Sequence, residues 1–269
     1  WQQAERYLAD ALEAMERVLG DDHPETLKVM HALGLVYWNR RKFDLSIPLY
    51  QRLVDLRSRR FGDAHAETQS ARANLAVNYQ DAGRDEDALP LLEASVRDES
   101  LVDEGYKSML RPRLAQVYEA LQMYDKATSL HLENVARCRQ QHGDKHGLTG
   151  RAFYLLGQNL LAQDRCAEAE PVLRESLAIR QQLFPSTWLA SNLMSLLGEA
   201  LAGQNKFSEA ESLLVEGYQG LEQHRNTIPE ASRTEYLKQA LQRIIDLYVA
   251  WNQPDKATSW QAKMDQLPP

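Results

Sequence analysis

The sequence predicts an all-α fold, an α-solenoid of antiparallel helix pairs, and three recurrences carry that prediction. A Leu-small-x-x-Tyr block returns along the chain, at Leu33-Gly34…Tyr37, Leu75-Ala76…Tyr79, Leu114-Ala115…Tyr118, Leu156-Gly157…Leu160, Leu197-Gly198…Leu201 and Ile244-Ile245…Tyr248. The successive spacings are 42, 39, 42, 41 and 47 residues. A small residue follows the end of every block at the same distance, at Ser46, Ala88, Ala127, Ala169, Ala210 and Ala257. A third pattern lies between the pairs. Gly20-Asp-Asp-His23-Pro-Glu-Thr26, Gly62-Asp-Ala-His65-Ala-Glu-Thr68 and Gly143-Asp-Lys-His146-Gly-Leu-Thr149 repeat one turn in the register that the blocks set.

Within a block the apolar residues fall three and four apart, as at Met30, Leu33 and Tyr37, which is the period of a helix with one buried stripe. Each block is therefore helix A of a pair. The segment after it, such as the one carrying Ala169, Leu173 and Ser176 on one stripe, is helix B. Taken in order, residues 1–22 form an unpaired helix B with Trp1, Ala4, Leu8 and Ala11 at helix B positions. Helix pairs then occupy 23–62, 63–99, 100–143, 144–185, 186–228 and 229–269, a single array over 1–269. The third pair departs most. Its approach from Arg97 to Tyr106 is charged, and Pro112 falls inside helix A, which predicts a kink or a late helix start. The last pair has a longer link, from Leu221 to Glu230, and bulky Ile245 at the small position, so it is expected to pack more widely and cap the stack.

Glycine inside a helix costs about 1 kcal/mol relative to alanine. Gly34, Gly157 and Gly198 thus need a packing reason, and the expected one is close approach of helix A to helix B at the matching Ala or Ser. The glycine of the recurring turn stops helix B through left-handed geometry, and Asp21 or Asp22 ahead of Pro24 is the expected start signal for the next helix.

Composition excludes several classes. The apolar share of 43% supports a packed core, and the net charge of −7 disfavours a general nucleic-acid surface. No apolar run is long enough for a membrane span, and the first residues do not form a signal peptide. Cys138 and Cys166 lie 28 residues apart without metal-ligand spacing, which fits a reducing compartment, the cytoplasm. A start at Trp1 instead of Met predicts a fragment, with any targeting signal or further domain upstream.

The Leu-Gly-x-x-Tyr and Ala arrangement resembles the tetratricopeptide repeat, over nearly the whole chain. The period near 42, with Gly-Asp-x-His-Pro-x-Thr, resembles the long-repeat subclass of kinesin light chains and of many bacterial signalling proteins. The tail around Leu-Tyr-Val-Ala-Trp251 and Trp260 resembles the ends of repeat regions attached to bacterial serine/threonine kinases, although no kinase motif is present. The resemblance implies a right-handed superhelix that binds peptides or partner segments in a concave groove lined by helix A.

The groove positions, by register, are Lys28, His31, Leu35 and Trp38; Ser70, Ala73, Val77 and Gln80 beside Asn74; Met109, Gln116 and Glu119 with Arg113; and Arg151, Tyr154, Gln158 and Leu161. An aromatic flanked by amide and guanidinium groups has the composition of a binding hot spot, which singles out Trp38 and Tyr154. Either side chain could instead pack into the next repeat. The paired asparagines by which kinesin light chains hold an extended peptide are represented by Asn74 alone, so that cargo mode does not carry over. Lys28, Asn74, Arg113 and Arg151 are the candidate clamp for a carboxylate.

His23, His65 and His146 recur one or two repeats apart. Helices stand about 8 to 10 Å apart and zinc needs nitrogen ligands at about 2 Å, so the three cannot share an ion. Their expected role is packing or hydrogen bonding within the turn, and no metal or cofactor is expected. No Gly-x-Ser-x-Gly, P-loop, His-Glu-x-x-His or Cys-x-x-Cys string occurs, and acidic runs such as Asp85-Glu86-Asp87 and Asp98-Glu99 lack a calcium-loop pattern. The reading is a non-enzymatic protein-interaction module, a scaffold or sensor region of a larger bacterial signalling protein. The alternative is a structural module that associates with its own copies through exposed end helices.

Overall fold

The computed structural model describes residues 1–97 and 104–267, the side chains of 104–108 excepted. Among these residues the chain forms α-helices and no strand. In order they are α1 Gln2–Leu19, α2 Pro24–Asn39, α3 Phe43–Phe61, α4 Ala66–Asp81, α5 Asp85–Arg97, α6 Glu104–Ala120, α7 Tyr124–His142, α8 Gly147–Leu161, α9 Cys166–Leu183, α10 Trp188–Ala202, α11 Phe207–Gln223, α12 Glu230–Ala250 and α13 Pro254–Met264. The chain divides into two compact units, Trp1–Ala127 and Thr128–Pro269, with the division inside α7.

In the first unit the stripe predicted from periodicity is the core. Leu27, Met30 and Leu33 of α2, Ile47, Tyr50 and Leu53 of α3, Leu75 of α4 and Leu92 of α5 are all buried. The second unit is built the same way from Leu156 and Leu160 of α8, Leu173 of α9, Leu197 and Leu201 of α10, Leu214 of α11 and Ile244 of α12.

The turn between helix A and helix B has one geometry throughout. Arg41, Gly83, Gln122, Asp164, Asn205 and Asn252 occupy one register and all have φ between 55° and 74°. The next residue's N–H then bonds back to the Tyr or Leu that ends the repeat block, as from Lys42 to Tyr37 at 2.9 Å and from Lys206 to Leu201 at 3.0 Å. This six-to-one bond is the Schellman closure, which satisfies a carbonyl otherwise left open at a helix end.

The recurring glycine turn is sharper than expected. Gly20 and Gly62 have φ 94° and 91° with ψ 162° and 161°, an extended backbone at positive φ that only glycine adopts readily, and not a left-handed helical one. The start signal is also different. His23, His65 and His146, not the preceding aspartates, cap α2, α4 and α8, with imidazole Nδ1 accepting from the backbone N–H two residues on at 3.3, 3.2 and 3.2 Å. Thr26, Thr68 and Thr149 lock each turn by donating to the glycine carbonyl at 2.8, 2.9 and 2.8 Å.

The helix A glycines answer a large residue one turn beyond the small one. A methyl group on Gly34 would lie 2.7 Å from the Tyr50 ring, and on Gly157 it would meet Leu173. On Gly198 it would lie 2.5 Å from Leu214 and also 3.2 Å from the Ala210 carbonyl, the small residue itself. Pro112 brings no late start, because α6 begins at Glu104 and carries it inside. Asp98 and Glu99 lie outside the described residues. The longer link before α12 holds a single 3-10 turn, Arg225–Thr227, and is anchored by buried Ile228.

Candidate functional site

In the first unit α2, α4 and α6 are joined, at and beside the predicted groove positions, by a chain of polar contacts. Trp38 of α2 donates its indole N–H to Asp81 of α4 at 2.7 Å. The other oxygen of that carboxylate accepts from Arg113 of α6 at 2.9 Å, and Arg113 also donates to Gln80 Oε1 at 2.8 Å. Gln80 returns the contact through its amide, to the Arg113 carbonyl and to Gln116 Oε1, both at 3.3 Å. One carboxylate therefore ties three successive A helices. Arg113 is matched within the unit and does not stand ready as a clamp.

Around that chain the remaining positions differ in what they present. Lys28 is exposed and pairs with Glu25 at 2.7 Å. Asn74 is only 5% exposed and donates to the Ser70 carbonyl one turn back, so its amide serves the helix. Leu35 and Trp38 are half-buried. His31 sits edge-on to Tyr50, whose hydroxyl donates to the His31 carbonyl at 3.4 Å. Its Nδ1 is buried without a partner among the described residues. Burial holds the imidazole down at about 4, with Arg57 adding to that effect and Glu67 opposing it.

The second unit fills its corresponding face with larger groups. Arg151 is exposed, and Gln158 and Tyr154 are half-buried. The Tyr154 hydroxyl accepts from Asn192 of α10 at 3.3 Å and also meets Tyr236 of α12. Burial, reinforced by Tyr236, pushes the phenol up to about 12 against the opposing pull of Arg243 and Asn192. Tyr236 packs on Trp188 with ring centres 4.9 Å apart. Arg243 of α12 donates to Glu199 of α10 at 2.5 Å and to Ser195 at 3.4 Å.

Sequence reasoning placed Arg151, Tyr154 and Gln158 but stopped at α8. Asn192, Ser195 and Glu199 stand in the register of Lys28, His31 and Leu35, so the same count carried one repeat further reaches them. Asp81 had no comparable signal. It lies one position past Gln80 and matters only because Trp38 and Arg113 converge on it. Among the described residues no group of His, Cys, Asp or Glu side chains could hold a metal ion, and no helix is long and apolar enough to cross a membrane.

A family profile described as Tetratricopeptide repeat matches residues 1–44, 33–97 and 108–182. The chain belongs to the tetratricopeptide repeat family. Solved structures share the fold of this tetratricopeptide chain at low identity. TPR-like repeats assigned to a Podosopora anserina kinesin light chain are 21% identical with a TM-score of 0.62, over 68% of this chain and 88% of that one. BtubC from P. vanneervenii is 16% identical with a TM-score of 0.58, over 84% and 94%. The apo form of RapI is 17% identical with a TM-score of 0.54, over 91% and 89%. No curated protein matches the sequence. Tetratricopeptide arrays are protein-interaction modules, and the fold is ordinarily a scaffold and not a catalyst.

Proposed function

We propose that the first unit binds an extended segment of a partner protein along the inward face of α2, α4 and α6. The supporting observation is the His31, Leu35 and Trp38 stripe. It offers apolar surface whose polar neighbours are already fixed by the Asp81 chain, so binding orders few side chains and loses little entropy. Arg113, Gln116 and Asn74 act in this reading as the frame of the site, and Lys28 as its charged rim. Arg151, Tyr154 and Gln158 belong to a second, more filled face. The setting is a scaffold or sensor region of a larger bacterial signalling protein, the context that the long-repeat resemblance implies, in the reducing cytoplasm that the two sparse cysteines fit.

The test is selection of binders from a random peptide display library on the whole chain, repeated on Leu35→Asp. Leu35 is only half-buried, so the variant keeps its fold, checked by circular dichroism. The proposal expects a sequence consensus on the native chain that Leu35→Asp fails to enrich. An identical consensus on both overturns it. A second reading, self-association, is favoured by Trp1 and by Tyr7 and Val18 of α1, which are 71%, 74% and 73% exposed. Light scattering that finds a monomer at high concentration rules that reading out.

A further inference from the structure

We propose that the junction between α7 and α8 is a pH-sensitive joint, in which protonation of His146, and of His142 stacked on it, releases the first turn of α8. His146 caps this helix through the unprotonated Nδ1, which accepts the Leu148 N–H at 3.2 Å. A protonated imidazole has two N–H groups and no acceptor. Protonation therefore turns an acceptor into a donor facing another donor, and adds positive charge at the positive end of the helix dipole. Imidazole is the side chain whose ordinary titration falls between about pH 5 and 8.

The same cap occurs at α2 and α4, and comparison shows why the third is the sensitive one. Two residues beyond His23 and His65 stand Glu25 and Glu67, carboxylates in the first turn that offer an imidazolium a counter-charge. The equivalent residue after His146 is Leu148, and the first turn of α8 carries no acid. The ring that stacks on His65 is Phe61, at 4.8 Å, whereas the ring on His146 is His142, at 4.9 Å. The two parallel imidazoles repel one another once both are charged.

Both signs of charge surround the cap. From α7 comes Arg139, paired with Asp144 of the turn at 2.9 Å. Lys145 adjoins the cap, Arg151 follows in α8, and α9 brings Leu183 against Gly147 while its Arg180 lies over Phe184. Asp144 is the acid of this set and is paired with Arg139, as Glu25 is with Lys28 and Glu67 with Arg57, so what sets this cap apart is the acid-free first turn of α8 and the stacked His142. Thr149 still donates to the Gly143 carbonyl at 2.8 Å, a bond that does not titrate, so protonation loosens the turn without dissolving it. Because α8 carries Arg151, Tyr154 and Gln158, loosening its start alters the inward face of the second unit.

Amide hydrogen exchange on the whole chain, corrected for intrinsic rates, tests this at Leu148 and Gly150, whose N–H groups bond to the His146 ring and carbonyl. Protection there is expected to fall about five- to tenfold between pH 7.5 and 5.5, the effect of losing an N-cap. In His146→Asn, which caps without titrating, protection stays level across that range; in His142→Gln the fall is smaller than in the native chain. His146→Ala loses protection at both pH values, showing that the cap is what the measurement reads. Native protection that does not change with pH, or a fall in His146→Asn equal to the native one, overturns the proposal.

Discussion

The two units follow one repeat plan and spend their inward faces differently. In the first, Trp38, Asp81 and Arg113 form a polar chain beside a stripe of His31 and Leu35 that stays partly open. In the second, Tyr154, in the register of His31, reaches Tyr236 of α12, which packs on Trp188, and Arg243 is closed onto Glu199 and Ser195. The comparison teaches that register fixes which positions correspond and says nothing of how much surface they leave. Tyr154 spends its hydroxyl on the neighbouring helices α10 and α12, whereas Trp38 spends its indole N–H on Asp81 of α4.

The largest expected effect separates two kinds of close approach. A methyl group on Gly217 of α11 would meet backbone of α10, Ser191 O at 2.8 Å and Ser195 N at 2.9 Å. Gly217→Ala is expected to cost about 2 to 3 kcal/mol, since neither helix can yield alone. Gly34→Ala in the first unit meets a side-chain ring and should cost about 1 kcal/mol, the clash being partly offset by helix propensity. Urea unfolding of both variants measures the difference, and equal costs would break the distinction.

Next is the link that defines the first unit's face. Asp81→Ala leaves the Trp38 N–H and Arg113 without their shared acceptor and should cost about 1 to 2 kcal/mol. A double-mutant cycle of Asp81→Ala with Trp38→Phe isolates the indole bond. A coupling energy near zero would show that the chain does not fix Trp38.

Acid separates the units by window. His31 is held at about 4, below its ordinary 6.5, so the unfolded chain binds more protons between those values. Its contribution is complete above about pH 6.5 and is lost as pH falls towards 4. Glu170 of the second unit is held at about 2, chiefly by Lys206 donating to it at 2.6 Å. Its contribution is complete above its ordinary 4.5 and is lost only as pH falls towards 2. His31→Gln should flatten the upper part of the stability profile and Glu170→Gln the lower part. Calorimetric scans across pH compare the two variants, and interchanged windows would refute the assignment.

The smallest effect concerns the helix A to helix B turns. Arg41 holds a left-handed φ of 55° at the cost of its Cβ, so Arg41→Gly should stabilise by about 0.5 to 1 kcal/mol. Asn205, at φ 61°, tolerates that region, and Asn205→Gly should change stability by less than about 0.5 kcal/mol. Denaturant midpoints of the two variants rank them.

The helix order was legible because each helix buries one stripe, and Leu33, Leu75, Leu156 and Leu197 report that stripe directly. The turn histidines were legible as a recurrence, and their capping role agrees with the expected hydrogen bonding in the turn. Their place as the cap itself was not, because aspartate beside glycine is the stronger local signal. Gly34 and Gly157 announced a close approach without naming Tyr50 and Leu173, since the partner depends on how far each helix slides past the other. The candidate face was legible as a register and illegible as a surface. Arg113 reads as a free cation until Asp81, 32 positions earlier, is seen to hold it.

The most direct measurement of the central claim is a nuclear magnetic resonance titration of the whole chain with the peptide consensus selected on it. The account predicts that the Trp38 indole resonance and the backbone amides of α2 and α4 shift, while those of Tyr154, Trp188 and Tyr236 hold. Shifts confined to α8, α10 and α12 would contradict it.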